Sequence, residues 1–277
     1  MTRGPARLLV ESASAPYRAA GRTAWHFARG KLGGDPIFAQ LLRLGPLSGR
    51  DRILDLGCGQ GLLAAWLRSA RDLHGSGNWP ADWPAPPRLT QYLGIDRSDS
   101  AIARARSALP PSARFRVGDL RTTPFPAADA VLMIDVLHYM SHADQESVLR
   151  RSLQCLRPGG LLILRIGDAA GGLPFHISRR VDLLVARLRG QRLPRLYCRR
   201  LDQWQDLIQG LGCRFDPLIA SRSAFSANVL AVARPGPGGA VEVPPGQGQG
   251  GSAGHLDSPD APGGGQGLRS RPQTSRR

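Results

Sequence analysis

Lysine is almost missing from this chain: Lys31 is the only one among 37 basic residues. Against 21 acids this leaves a formal net charge of +16, carried by arginine. Such an excess can mark a nucleic-acid or acidic-surface binder. Arginine in place of lysine, with abundant Ala, Gly and Pro, is also what a GC-rich coding sequence yields, and most of the charge is read that way. Cysteine is sparse and scattered, at Cys58, Cys155, Cys198 and Cys213, with no CxxC pair. That spacing indicates neither a zinc site nor a disulfide framework, and the four are read as small buried hydrophobes. No apolar run approaches the roughly 20 residues that cross a bilayer. The start, Met1 to Val10, has two arginines but no sustained apolar stretch behind them, so the expectation is a cytoplasmic protein without a signal peptide or transmembrane segment. Aromatic residues make up 6%, and nothing resembles the interleaved aromatic and basic layout of an RNA-binding module.

What is present is an ordinary globular composition, 42% hydrophobic over 277 residues, enough for one α/β domain and a tail. Residues 1–49 are expected as an N-terminal helical segment and candidate lid, mixed and weakly periodic over residues 1–34. It ends in an apolar stretch from Ile37 to Leu42, introduced by Asp35 as N-cap and Pro36 at the first helical position and closed by Gly45-Pro46. From about residue 50 short apolar runs alternate with helical patterns, the mark of βαβ units. Strands are expected at Arg52–Leu56, Gln91–Ile95, Ala113–Val117, Ala130–Ile134, Leu161–Ile166, Cys213–Ile219 and Val229–Ala233, the last two as an antiparallel edge pair. Helices are expected at Gly61–Ala70, Ser100–Ala108 and Gln145–Cys155, and a turn at Gly159-Gly160. His74–Arg88, with Trp79 and Trp83, reads as a surface loop. Ala169–Arg200 is a basic insertion with an amphipathic pattern, Ile177, Val181, Leu184, Val185 and Leu188 against arginines. Residues 234–277 are Pro/Gly-rich and too poor in large apolar residues to fold, so a disordered tail is expected.

The chemistry-bearing segments sit where these strands end. Ile53-Leu54-Asp55-Leu56-Gly57-Cys58-Gly59-Gln60-Gly61 runs from a strand into alternate glycines and then a helical pattern. Glycines allow a tight turn and close approach of a ligand to the backbone, and the following helix presents its N-terminal amides. The GxGxG spacing with a preceding acid differs from the GxGxxG of dinucleotide sites, which disfavours a nicotinamide dehydrogenase. Tyr92-Leu93-Gly94-Ile95-Asp96 ends a strand in an acid able to hold a ribose diol or, with Ser98 and Asp99, to cap the next helix. Phe115-Arg116-Val117-Gly118-Asp119-Leu120 ends another in an acid. Met133-Ile134-Asp135-Val136-Leu137-His138-Tyr139 and Leu156-Arg157-Pro158-Gly159-Gly160-Leu161 complete the series.

In order and spacing these segments resemble the class I, Rossmann-like, seven-stranded S-adenosylmethionine-dependent methyltransferase family, over about residues 50–233. The resemblance implies an α/β three-layer doubly wound sandwich: a seven-stranded, mostly parallel sheet with an antiparallel last strand and helices on both faces. It implies S-adenosyl-L-methionine as cofactor. Asp55, Gly57, Cys58 and Gly59 would contact its methionine part, Asp96 its ribose, Asp119 and Leu120 its adenine, Asp135 would lie near the reactive sulfonium, and Arg97 would also belong to the cofactor site.

Methyl transfer from a sulfonium is an in-line displacement whose leaving group is already activated, so positioning and exclusion of water dominate. A hydroxyl acceptor benefits from a general base. His138, just past the fourth strand, is the candidate, with a structural role as the alternative reading. Asp168, His176 and Tyr197 are further candidates for acceptor contacts, Tyr139 for packing or a lid, and His142 for a loop or cap. The acceptor pocket is expected from Trp25, Phe27, Ile37 and Phe38 and from the insertion, whose arginines Arg179, Arg180, Arg187, Arg189, Arg192, Arg195, Arg199 and Arg200 form either a solvated face or a surface for an acidic partner. The expected acceptor is a small molecule or a lipid-like or carrier-bound intermediate, an acidic one among the candidates, methylated at oxygen or carbon. RNA or protein methylation is the alternative; its nucleic-acid form is weakened because the asparagine–proline motif of amino-group DNA and RNA methyltransferases is absent after the fourth strand. A non-catalytic scaffold on the same fold is the third reading.

Overall fold

The computed structural model describes residues 4–167, 196–223 and 226–236. Most of the basic insertion, with Asp168 and His176, and the tail from residue 237 onward lie outside the described residues. The chain opens with α1 (Pro5–Ser14), a 3-10 turn at Ala15–Arg18, α2 (Arg22–Gly34) and α3 (Ile37–Arg43). Then come β1 (Arg52–Leu56), α4 (Leu62–Gly75), β2 (Gln91–Asp96), α5 (Asp99–Ala108), β3 (Ala113–Val117) and β4 (Ala128–Ile134). A second 3-10 turn, Leu137–Tyr139, leads to α6 (His142–Gln154) and β5 (Leu156–Gly167), and the described residues close with α7 (Leu201–Gly210), β6 (Cys213–Ser223) and β7 (Ser226–Pro235).

The strands form one seven-stranded sheet in the order β3-β2-β1-β4-β5-β7-β6. β1 to β5 pair in parallel, and β7 runs antiparallel between β5 and β6. The parallel strands need apolar side chains on both faces because helices cover both. On β4, Ala130 and Leu132 enter the core shared with α1–α4, while Val131 and Met133 enter the core shared with α6 and α7. Trp66 of α4 anchors the first core at 1% exposure and Trp204 of α7 the second at 2%. This two-sided burial makes the three layers.

Local signals set the helix starts. The Ser98 hydroxyl accepts from the Ala101 amide and the Ser141 hydroxyl from the Asp144 amide, so of the acids and serine before α5 it is Ser98 that caps. α3 begins at Ile37 rather than Pro36, with the Asp35 carboxylate accepting from the Ile37 amide at 3.1 Å. The N-terminal segment contains two helices with well-buried faces (Leu9, Ala13, Ala24, Ala28, Leu32). Two expectations need correction. β5 starts at Leu156, because the expected Gly159 turn, at φ 72°, is absorbed as an irregularity within the strand. The His74–Arg88 stretch is a loop only after α4 has run on to Gly75, and its Trp79 and Trp83 pack against the core.

Candidate functional site

In a parallel sheet the crevice lies at the carboxyl ends of the strands, and there the chain gathers its glycines and acids. β1 turns at Gly57, Cys58 and Gly59 before α4 begins. The Gly57 and Cys58 amides both donate to the Ile95 carbonyl, at 2.8 and 3.2 Å, which binds this loop to the end of β2. Gly57 has φ 81° and a Cβ there would lie 2.5 Å from the Val136 side chain, so both the conformation and the space demand glycine. At Gly59, φ 53°, a Cβ would meet nothing within 4 Å: the loop faces open space. Into that loop reaches Asp96, whose Oδ2 accepts from the Gly59 amide at 2.9 Å while Oδ1 accepts from the Ser98 amide at 2.9 Å. Arg97 beside it is exposed.

Asp55 lies beneath this loop at 3% exposure, its Oδ2 accepting from the Tyr92 hydroxyl at 2.5 Å. Burial, only partly offset by that hydrogen bond, pushes its carboxyl up to about 7. Burial also pushes the Cys58 thiol up, so Cys58 is a neutral packing group under Gly94 rather than a thiolate. Asp119 ends the β3 segment with its carboxylate gripped by Arg121, Nε to Oδ1 at 2.9 Å and a second guanidinium nitrogen to Oδ2 at 2.5 Å; these hydrogen bonds bring its carboxyl down to about 2. Leu120 is buried.

Asp135 follows β4 with φ 56°, one of two non-glycine residues with positive φ among those described. Its Oδ2 accepts from Arg165 at 2.9 Å and lies 3.6 Å from Lys31 Nζ, and both cations also hold Asp35. His138 sits in the 3-10 turn beyond, half-buried, its ring 4.1 Å from that of Tyr139, and its carbonyl accepts from the Tyr197 amide. Gln145, fully buried on α6, donates to the carbonyls of Leu137, Met140 and Tyr197 and so fixes this turn. His142 begins α6 with its ring 5.9 Å from that of Tyr197.

The N-terminal helices roof the glycine loop. The Tyr17 hydroxyl, fully buried, donates to the Gln60 carbonyl at 2.8 Å, and the Gln60 side chain donates to the Ala24 carbonyl at 3.3 Å. Of the four residues expected at the acceptor pocket, Ile37 and Phe38 belong to the core instead, Phe38 against Trp66; their place on α3 turns them toward α4. Trp25 is half-buried and Phe27 48% exposed. Sequence reading missed Tyr17, Lys31, Asp35, Gln145 and Arg165 as site neighbours; only Lys31, as the lone lysine, and Asp35, as a helix start, had drawn notice. A concavity of about 730 Å³ elsewhere, lined by Arg121, Phe125, Arg151 and Arg157, opens near the start of β5, away from the glycine loop. Its Arg151 donates to the carbonyls of Leu120, Arg121 and Thr123.

These features agree with known proteins. Residues 54–164 match the family model described as a methyltransferase domain. A trans-aconitate 2-methyltransferase of Methylobacterium nodulans is 28% identical over 64% of this chain and 63% of its own length. A 27-O-demethylrifamycin SV methyltransferase of Amycolatopsis mediterranei is 30% identical over 43% of this chain and 39% of its own. The chain thus spans less than two thirds of either relative. Magnesium protoporphyrin IX methyltransferase from Synechocystis PCC 6803, solved with its cofactor, superposes with a TM-score of 0.51 at 15% identity, over 85% of this chain and 99% of that one. The sequence match to a methyltransferase domain thus covers residues 54–164, and the fold over most of the chain is shared with a methyltransferase of known structure.

Proposed function

We propose that the protein binds S-adenosyl-L-methionine at the carboxyl ends of β1, β2, β3 and β4 and transfers its methyl group to a small-molecule acceptor, at oxygen or carbon. The observation that carries this reading is the junction of the glycine loop with Asp96: an open, Cβ-free face at Gly59 beside a carboxylate held in place by two backbone amides. A diol needs such a fixed acceptor, and a ligand lying along the loop needs such an open backbone. The residues fit the cofactor. Gly57, Cys58 and Gly59 cradle the methionine part, with Asp55 lending its carboxylate from beneath. Asp96 and Arg97 hold the ribose, Asp119 and Leu120 the adenine, and Asp135 the neighbourhood of the sulfonium. The bound cofactor supplies a methyl group on a positively charged sulfur.

The chain's own part is placement. The Tyr17–Gln60–Ala24 hydrogen bonds keep the N-terminal helices against the loop. A ring nitrogen of His138, in the turn fixed by Gln145, takes the proton of an acceptor hydroxyl as the new bond to carbon forms. Two relatives act, by name, on trans-aconitate and on a demethylrifamycin, which supports small-molecule acceptors.

Calorimetric titration with S-adenosylmethionine and its demethylated product tests the reading. The expected result is binding of both, weakened at least tenfold by Asp96→Ala, since the variant loses a charged acceptor and releases the Gly59 amide. Binding of neither by the unaltered protein would overturn the proposal in favour of a scaffold on this fold.

A further inference from the structure

We propose that Arg165 is a positioning residue that sets Asp135 for the site and, through Asp35, fastens α2 above it; the role of Asp135 near the sulfonium rests on the cofactor reading, while the fastening does not. Arg165 lies on β5 at 7% exposure. It holds Asp135 from both ends. Its carbonyl accepts from the Asp135 amide at 3.3 Å, and its Nη1 donates to Asp135 Oδ2 at 2.9 Å. The same Nη1 donates to Asp35 Oδ2 at 2.5 Å. Lys31 closes the figure, 2.6 Å from Asp35 Oδ2 and 3.6 Å from Asp135 Oδ2. The result is a ring of alternating charge, Lys31–Asp35–Arg165–Asp135, drawn from α2, the link to α3, β5 and the end of β4.

Three physical points make this more than an ornament of the core. A buried guanidinium needs compensating charge, and here two carboxylates meet one nitrogen while Lys31 balances the second of them. Removing Arg165 leaves two acids facing one lysine. Asp135 adopts a left-handed backbone, which costs a non-glycine residue energy and persists only where its surroundings impose it; the amide and carboxylate contacts to Arg165 are that imposition. Asp35 and Lys31 frame the carboxyl end of α2, the helix whose Ala24 receives the Gln60 side chain. One arginine therefore ties the conformation at the end of β4 to the placement of the roof over the glycine loop.

The test compares Arg165→Met, Arg165→Lys and Asp35→Asn in the full chain without cofactor. It reads the Asp135 carbon chemical shifts, which report its backbone conformation, and amide hydrogen exchange across residues 22–34. Arg165→Met should shift the Asp135 carbons away from left-handed values and speed exchange in α2 at least tenfold, with exchange in β1 unchanged. Arg165→Lys, which still offers a charged nitrogen to both acids, should recover most of both effects. Asp35→Asn should speed exchange in α2 while leaving the Asp135 shifts in place. Unchanged Asp135 shifts or unchanged α2 exchange in Arg165→Met would overturn the assignment. Both readouts are taken without S-adenosylmethionine, so failure to bind that compound bears on the proposed function and not on this inference.

Discussion

Asp55 shows how one residue can carry both motif and stability. Its carboxyl is raised to about 7 by burial, against about 4 in an unfolded chain. Between those values the folded state keeps a proton that the unfolded state has released. This group's contribution is therefore complete below about pH 4 and lost as pH rises toward 7. Asp35, Asp119 and Asp129 have the opposite sign. Burial works against Asp35 and Asp129, yet Arg165 and Lys31 around the first, and two backbone amides and Arg157 around the second, hold both below the ordinary range; Arg121 does so for Asp119. What these three contribute is present above about pH 4 and lost below it. Asp55→Asn keeps an acceptor for the Tyr92 hydroxyl and abolishes the charge. It should flatten the fall in stability between pH 4 and 7 and leave the variant more stable than the parent at pH 8 by on the order of 2 kcal/mol. Urea midpoints at pH 5 and pH 8 measure this, and an equal loss of stability at both values would count against the buried-charge account.

At the scale of elements, the strands of the parallel core were legible because their residues answer to one requirement. β1 and β3 have the expected limits, and β2 and β4 extend theirs by one residue and by two. Glycines and acids at strand ends marked the loops for the same reason: only those residue types suit the turns. What stayed hidden were arrangements that combine distant segments. Nothing local in Tyr17 or Gln145 announces that their polar atoms end up in the core against backbone carbonyls 43 and 52 residues away. The Asp35 signal was local and real, but its larger role with Arg165 spans 130 residues. The β1–α4 turn gives a test at this scale. In Gly57→Ala the new Cβ would strike Val136 and φ would remain at 81°. The variant should lose about 2–4 kcal/mol through overpacking and strain together. Adding Val136→Ala removes the methyls at 2.5 and 3.2 Å but leaves the Val136 Cβ at 2.7 Å, so it should return only part of the steric cost and none of the conformational part, about 1 kcal/mol. If thermal midpoints show no recovery in the double variant, close packing against the Val136 methyls is not what excludes a side chain at Gly57.

For the molecule as a whole, the question is whether the N-terminal helices are a detachable cover or part of the fold. Their buried residues, Leu9, Ala13, Tyr17, Ala28 and Leu32, share one core with Leu63, Trp66 and Leu67 of α4. Burying a leucine or a tyrosine stabilises by about 1.5–3 kcal/mol, and a domain's net stability is about 5–15 kcal/mol. Losing three such side chains, together with the Tyr17 and Gln60 hydrogen bonds and one cation of the Lys31 ring, removes a quantity comparable to the whole. The face of α4 left bare would be a broad apolar patch of the kind that drives association. A chain beginning at Asp35 should therefore show no cooperative thermal transition and should aggregate. A cover evolved only to open and close over the cofactor would behave otherwise: the shortened chain would keep its melting temperature within a few degrees and lose only ligand affinity. The distinction also bears on opening. If α1 and α2 are core, the roof does not swing away as a unit, and a cofactor must enter past its edge, because both apolar packing and the Lys31–Asp35–Arg165–Asp135 ring hold α2 down.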